Sequence, residues 1–299
     1  MSKVWLITGS GSGLGRDIAE AALKAGNKVV ATARKTDQLA DLVREYGSQA
    51  RAVKLDVTDE EEGKAAVAAT VEAFGRLDVL VNNAGYGDTR PFEQVPSDEF
   101  RQLVETCLFG VVNLTRAALP VMRQQRSGHI IQISSVGGRT AFPGNASYHA
   151  AKWGVGGFTE AVALETAPFG VRVTALEPGG MRTNWVKRGS AGQHSLLPEY
   201  EASVGAHVKQ LGGYWGHENG DPTKVAHIVL KIAEADTLPP HILIGSDAFR
   251  MVRQAEEARA ADEDRWKAVS MSTDVDSGSI PDPRHIALGS NTSQTARAP

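Results

Sequence analysis

Tyr148 and Lys152 stand four residues apart, and Ser135 lies thirteen residues before the tyrosine. A phenol, an ammonium and a hydroxyl brought together can give a proton to a carbonyl oxygen or take one from an alcohol. On a helix, positions 148 and 152 share one face, which brings the ammonium near the phenol. A neighbouring cation favours phenolate, so the Tyr148 pKa is expected below its ordinary value of about 10. Ser135 would hydrogen-bond the carbonyl oxygen and stabilise the charge that grows there in the transition state. Near the start of the chain, Gly9-Ser10-Gly11-Ser12-Gly13-Leu14-Gly15 follows Thr8 at the end of an apolar run. Such a turn lets the backbone approach a pyrophosphate, whose charge then sits at the N-terminus of a helix starting near Leu14. The spacing is TGxxxGxG: in the GxGxxG fingerprint, Leu14 would have to be the third glycine. A proton-transfer set and a dinucleotide cradle in one chain together imply hydride chemistry.

The residues that end the second apolar run choose the dinucleotide. An NAD site wants a carboxylate there for the ribose diol, and an NADP site a cation for the 2′-phosphate. Here the run ends Ala31-Thr32-Ala33-Arg34-Lys35 with no acid. The planar fork of Arg34 suits a phosphate, so NADP is expected over NAD. Asp56, followed by Val57, could accept a bond from the adenine amine or serve as a helix-entry cap.

Those groups need a scaffold, and the pattern of the chain supplies one. Short apolar runs at Val4–Thr8, Lys28–Thr32, Arg51–Leu55, Asp78–Val81, His129–Ile133, Val171–Leu176 and His241–Ile244 read as strands buried on both faces. Between them, Leu14–Ala25, Thr36–Tyr46, Asp59–Phe74, Cys107–Gln124 and Ser147–Ala167 read as helices. Thr58-Asp59-Glu60-Glu61 reads as a helix start, with acids where the dipole favours them. The alternation predicts an α/β fold: a single doubly wound Rossmann-type domain with a seven-stranded parallel sheet, over residues 1–269. Residues 183–220, with Trp185, Tyr200, Tyr214 and Trp215, form a long insertion after the sixth strand and are expected to be a substrate lid. From residue 270 to 299 Ser, Thr, Asp, Gly and Pro dominate, and a disordered tail is expected.

A formal net charge of -3, with acids and bases intermixed, leaves no footprint for nucleic acid. No uninterrupted apolar stretch of membrane-spanning length is read, so no membrane partner is expected. Met1-Ser2-Lys3 runs straight into a strand-like segment, with no room for a signal peptide. The one cysteine, Cys107, excludes an internal disulfide and suits a reducing cytoplasm.

Together these residues resemble the short-chain dehydrogenase/reductase family. The matching motifs are TGSGSGLG (8–15), LDV (55–57), NNAG (82–85), ISS (133–135), YHAAK (148–152) and PGGMRT (178–183), in family order and spacing over roughly Lys3 to Ala248. Segments such as VVATARKTDQL and LTRAALPVMRQQRSGHIIQISS look most like the subgroup that contains 17β-hydroxysteroid dehydrogenases, which acts on many substrates. The resemblance implies Tyr148 as acid/base and Lys152 as holder of the nicotinamide ribose. It implies that Asn82, Ala84 and Gly85 wall the adenosine side and that Pro178, Gly179 and Thr183 flank the nicotinamide. It also implies a homodimer or homotetramer, formed through the helices after the fourth and fifth strands.

One position departs from the family pattern. Cys107, three residues before Gly110, stands where the family usually carries an asparagine that holds a proton-relay water. A thiol is a weak donor and weak acceptor and would hold such a water poorly. Asn113, six residues along the helix, points elsewhere. His149 sits on a different helical face from Tyr148, so packing or surface exposure is expected of it. His194, His207 and His217 lack metal-ligand spacing, and no metal is expected. Met181 and Trp185 read as packing for the lid or floor of the pocket.

The reading is therefore an oxidoreductase moving hydride between NADP(H) and a secondary alcohol or ketone, with an apolar or ring-bearing small-molecule substrate. A protein that senses NADP without turning it over is the alternative. An epimerase or dehydratase with tightly held NAD is disfavoured, because its longer-spaced glycine turn and acid are both missing.

Overall fold

The computed structural model describes residues 2–183, 195–275, 279, 281, 282 and 286. Its strands are β1 (Val4–Ile7), β2 (Lys28–Ala33), β3 (Ala50–Lys54), β4 (Val79–Asn82), β5 (Gly128–Ile133), β6 (Val171–Pro178) and β7 (His241–Ile244). They form one seven-stranded sheet in the order β3-β2-β1-β4-β5-β6-β7, every neighbouring pair parallel. The order reverses between β1 and β4, the topological switch point where such sheets bind ligands at their carboxyl ends. This is the doubly wound architecture the apolar pattern predicts.

Nine helices accompany the sheet among the described residues: α1 (Gly13–Lys24), α2 (Ala40–Tyr46), α3 (Glu60–Phe74), α4 (Ser97–Val104), α5 (Gly110–Gln125), α6 (Ala146–Thr166), α7 (Ala206–Tyr214), α8 (Pro222–Glu234) and α9 (Ser246–Met271). Two apolar layers pack helices on the faces of the sheet. On one face Ile18 and Leu23 of α1 and Val225 and Val229 of α8 pack with Trp5, Ile7 and Val29. On the other, Ala66 and Val67 of α3, Leu114 and Met122 of α5 and Val162 of α6 pack with Leu6, Leu80 and Ile130. Burial on both faces is why the inner strands read as apolar runs, whereas the edge strands β3 and β7 are only partly buried.

Local signals explain several helix starts. Asp59 caps α3, accepting from the N–H groups of Glu61 at 2.8 Å and Glu62 at 3.0 Å. Asp221 does the same for α8 through Thr223 and Lys224, with Pro222 in the first turn. A π-helical segment, Glu105–Phe109, joins α4 to α5 and carries Cys107 at its centre. The run 97–125 is, by length and composition alone, long and apolar enough to cross a membrane. Its apolar residues include Leu114, Ala118 and Met122, which belong to the second core layer.

The chain divides into two compact units, Met1–Ala248 and Phe249–Pro299. That boundary falls inside α9, earlier than the change of composition at residue 270. Of the expected lid, residues 195–220 contain a 3₁₀ turn (Pro198–Tyr200), a π-helical turn (Glu201–Gly205) and α7. Its base is a clasp: Arg182 N–H donates to Gly220 O and Gly220 N–H to Gly180 O, each at 3.0 Å. Trp185 and His194 lie outside the described residues, as does most of the segment after residue 275.

Candidate active site

The glycine turn leaves β1 at the switch point. Gly9 has φ +67°, in the left-handed region that only glycine enters without strain. Gly15 serves by absence: a β-carbon there would collide with Asn83 Nδ2 and the Gly9 carbonyl. Ser10 and Leu14 are buried, Ser10 N–H donating to Thr32 O at 2.8 Å and its hydroxyl to Ile7 O at 2.9 Å. Gly11 lies beside the Gln38 side chain, Gly13 opens α1, and Ser12 precedes it as the extended N-cap. The first turn of α1 carries no acid, so nothing there competes with an anion for the helix N-terminus.

Thr8 and Asn83 fasten this turn to the end of β4. The Thr8 hydroxyl accepts from the N–H groups of Asn83 at 2.9 Å and Ala84 at 3.0 Å. The Asn83 amide donates back to Thr8 O at 3.0 Å and Gly9 O at 3.3 Å. Neither role was assigned from sequence, although both residues lie inside the motifs that drew attention. Asn82 departs from expectation: it is buried, its amide donating to Gln132 Oε1 at 2.8 Å and Thr115 Oγ1 at 3.2 Å, so its side chain braces the interior.

At the end of β2, Arg34 is exposed and makes no hydrogen bond or ion pair to the described residues. Asp56 accepts from the Thr58 N–H at 3.0 Å and hydroxyl at 2.8 Å. Burial raises its carboxyl, but these bonds and the Arg34 charge outweigh it and leave the pKa lowered. Asp56 is not the cap of α3, because Asp59 fills that position. The Val57 side chain fills the space beside Gly110, and its carbonyl accepts from Asn113 Nδ2 at 3.1 Å. Asn113 is thereby turned away from Cys107.

Ser135, Tyr148 and Lys152 gather at the ends of β5 and α6. Ser135 Oγ accepts from the Gly137 N–H at 3.0 Å, which leaves its own proton to give, and it hydrogen-bonds Tyr148. Lys152 Nζ lies 5.7 Å from the Tyr148 ring centroid and donates to the Ile133 carbonyl at 2.7 Å. Both side chains are buried. The expected lowering of the tyrosine pKa by the lysine is not what this arrangement produces. Burial dominates and pushes the phenol well above its ordinary value, opposed by the Ser135 bond. Burial also lowers the Lys152 ammonium, since the charged form loses solvation.

Cys107 is fully buried and donates to the Tyr86 carbonyl at 3.3 Å. A β-carbon on Gly85 would lie 3.3 Å from its sulfur and 4.0 Å from Lys152 Nζ, so Gly85, Cys107 and Lys152 converge. Burial raises the thiol, with Lys152 opposing. On the far wall, Pro178 ends β6 and Gly179 N–H donates to Ile244 O at 3.0 Å. Thr183 N–H donates to Met181 O at 2.7 Å, beside the clasp between residues 180–182 and Gly220. His149 is buried, its ring centroid 6.3 Å from that of Tyr148.

A family model described as short chain dehydrogenase matches residues 3–194. The chain belongs to the short-chain dehydrogenase family. Oxidoreductase BOA17 of Botryotinia fuckeliana is 46% identical over 275 residues, covering 91% of this chain and all of that protein. A short-chain dehydrogenase of Streptomyces avermitilis superposes with a TM-score of 0.82 at 39% identity, covering 92% of this chain and 100% of the other. A short-chain dehydrogenase/reductase of Burkholderia phymatum in complex with NAD superposes with a TM-score of 0.76 at 27% identity, covering 87% and 95%. These matches carry the family without singling out the hydroxysteroid-dehydrogenase-like subgroup. As a short-chain dehydrogenase, the protein is an oxidoreductase with a Rossmann-type site for a nicotinamide coenzyme. The glycine turn, held open by Asn83 and facing an acid-free helix N-terminus, fits that group.

Proposed function

We propose that this chain interconverts a secondary alcohol and a ketone using NADP(H). The observation that carries the reading is the joining of Ser135, Tyr148 and Lys152 at the end of β5 and on α6. Gly9 to Gly15 would hold the pyrophosphate, Asp56 and Val57 the adenine side with Ala84 and Gly85, and Pro178, Gly179 and Thr183 the nicotinamide side. When bound, the coenzyme supplies or accepts the hydride. Tyr148 gives its proton to the carbonyl oxygen during reduction and takes one from the alcohol during oxidation. Ser135, its oxygen held by the Gly137 N–H, would give its proton to the same oxygen and stabilise the charge that develops there. Lys152 would hold the ribose and keep a positive charge beside the phenol.

Arg34 supports NADP over NAD, since no acid replaces it at the end of β2 and it makes no hydrogen bond or ion pair among the described residues. The rings of Tyr148, His149, Phe142 and His207 form a continuous series beside the site, which supports an apolar or ring-bearing substrate. Exposed Phe109, Trp153 and Leu164 support association with a second copy as a homodimer or homotetramer. A single, buried cysteine accords with a reducing cytoplasm. A panel of ketones and alcohols followed by NADPH and NADH absorbance tests the proposal. Turnover with NADPH supports it, and coenzyme binding without turnover of any carbonyl would favour a sensor.

A further inference from the structure

His149 follows Tyr148 directly, and both of its ring nitrogens are committed to backbone. Nδ1 lies 2.7 Å from the Gly137 carbonyl oxygen, and Nε2 accepts from the Phe142 N–H at 2.9 Å. A carbonyl needs a donor and an N–H needs an acceptor. Only the neutral ring with its proton on Nδ1 satisfies both. The two bonded groups are the ends of one loop, residues 137–142, which leaves Ser135 and passes over Tyr148. Gly137 is the residue whose N–H holds Ser135 Oγ. It is also tightly packed: a β-carbon there would lie 3.2 Å from His149 Cε1, 3.2 Å from His149 Nδ1 and 3.2 Å from Tyr148 Cε1. At the other end Phe142 stacks on His207 of α7, with centroids 5.5 Å apart and planes 6° apart.

We propose that His149 is a positioning residue that, neutral and in a single tautomer, staples the loop Gly137–Phe142 to α6. It thereby sets the Ser135 hydroxyl at one end and the Phe142–His207 contact with the lid at the other. The inference rests on the roles given above to Ser135 and Tyr148. Protonation of His149 would turn a donor toward the Phe142 N–H and release that end of the loop. Burial holds His149 below its ordinary pKa against the raising effect of its two backbone bonds, so release belongs to the acid side. The titratable groups facing it are Tyr148 on its own helix and His207 on α7. Arg139, on the loop, bonds Glu177, and Lys152, on α6, bonds Ile133 O. His207 is lowered by burial and then by the His149 charge, so the two histidines resist being charged together.

His149→Leu removes both ring partners, whereas His149→Gln keeps one donor and one acceptor. The readouts are hydrogen exchange at the Phe142 amide, NADPH affinity, and kcat and KM for a ketone found by the panel. His149→Leu is expected to speed Phe142 exchange and to lower kcat/KM roughly 10- to 100-fold, the effect of stranding a buried partner. NADPH affinity should stay within about twofold, and His149→Gln should recover most of the loss. Faster exchange with wild-type kcat and KM overturns the inference and leaves the reductase reading intact. A wild-type chain that turns over no carbonyl sinks that reading instead, while exchange at Phe142 still decides whether His149 holds the loop. Should His149→Leu fail to fold, ¹⁵N shifts of the wild-type ring decide: a proton on Nδ1 supports the staple, and one on Nε2 refutes it.

Discussion

Lys152 gives its ammonium to the carbonyl of Ile133, 2.7 Å away, while the ring centroid of Tyr148 lies 5.7 Å from the same nitrogen. The last residue of β5 thus anchors the cation that α6 delivers, and the phenol is left with Ser135 as its bonding partner. Lys152 is therefore anchored to the end of β5, and the proposed function gives it the coenzyme's ribose to hold. Lys152→Met should fold, because it replaces a buried charge with an apolar chain of similar length. It should lose at least about tenfold in NADPH affinity, the value of one charge-assisted bond, and more in turnover. Fluorescence titration with NADPH checks this, and unchanged affinity contradicts it.

Arg34 stands exposed at the end of β2 and makes no hydrogen bond or ion pair among the described residues. Arg34→Ala should weaken NADPH binding roughly 10- to 100-fold, as expected for lost charged hydrogen bonds, and leave NADH binding nearly unchanged. Parallel titrations with the two coenzymes decide. Equal losses for both would remove the 2′-phosphate from the account.

Cys107 occupies the centre of the π-helical segment, close to both Gly85 and Lys152. Its thiol offers a weak bond to Tyr86 O and is held protonated chiefly by burial. Cys107→Asn should keep or raise turnover, since an amide donates and accepts more strongly at that place. Loss of turnover in a folded Cys107→Asn variant would show that the thiol itself matters. Under native conditions the buried thiol should also react slowly with iodoacetamide, measured against the unfolded chain.

How much of this was legible in the sequence follows a physical line. All seven strands were: the inner ones because strands buried on both faces must be runs such as Val79–Val81 and His129–Ile133, and the partly buried β3 and β7 because they continue the alternation with helices. The Asp59 cap was legible for the same local reason. Helices α4, α7, α8 and α9 went unassigned, although Asp221-Pro222 carries a start signal for α8. Ser135, Tyr148 and Lys152 were legible because motif and helical spacing bring them together. The sign of the Tyr148 shift was not, since spacing shows that an amine is near but not how deep the phenol sits or that Ile133 O competes for the amine. The place of His149 was equally hidden: its partners, Gly137 and Phe142, lie back along an irregular loop that no periodicity predicts.

Two histidines outside the site should give stability opposite pH slopes. Burial, followed by the charges of Arg172 and Lys3, lowers His129 from 6.5 to about 3. The unfolded chain then takes up a proton that the folded one refuses, so stability falls as pH drops from about 6.5 toward 3, by about 1.4 kcal/mol per pH unit. His241 is raised by its bond to Glu177, with burial opposing and Glu160 adding. Its contribution is complete below about 6.5 and is lost as pH rises through the raised value. Denaturant unfolding of His129→Gln across this range should show a flatter acid slope than wild type. An identical slope contradicts the assignment.

Tyr148→Phe tests the central claim most directly, because it removes one oxygen from a buried ring and leaves the packing in place. Turnover of the best ketone with NADPH should fall at least about a hundredfold, the usual share of a positioned acid, with NADPH affinity retained. A variant that reduces the ketone as fast as wild type would show that the proton comes from elsewhere.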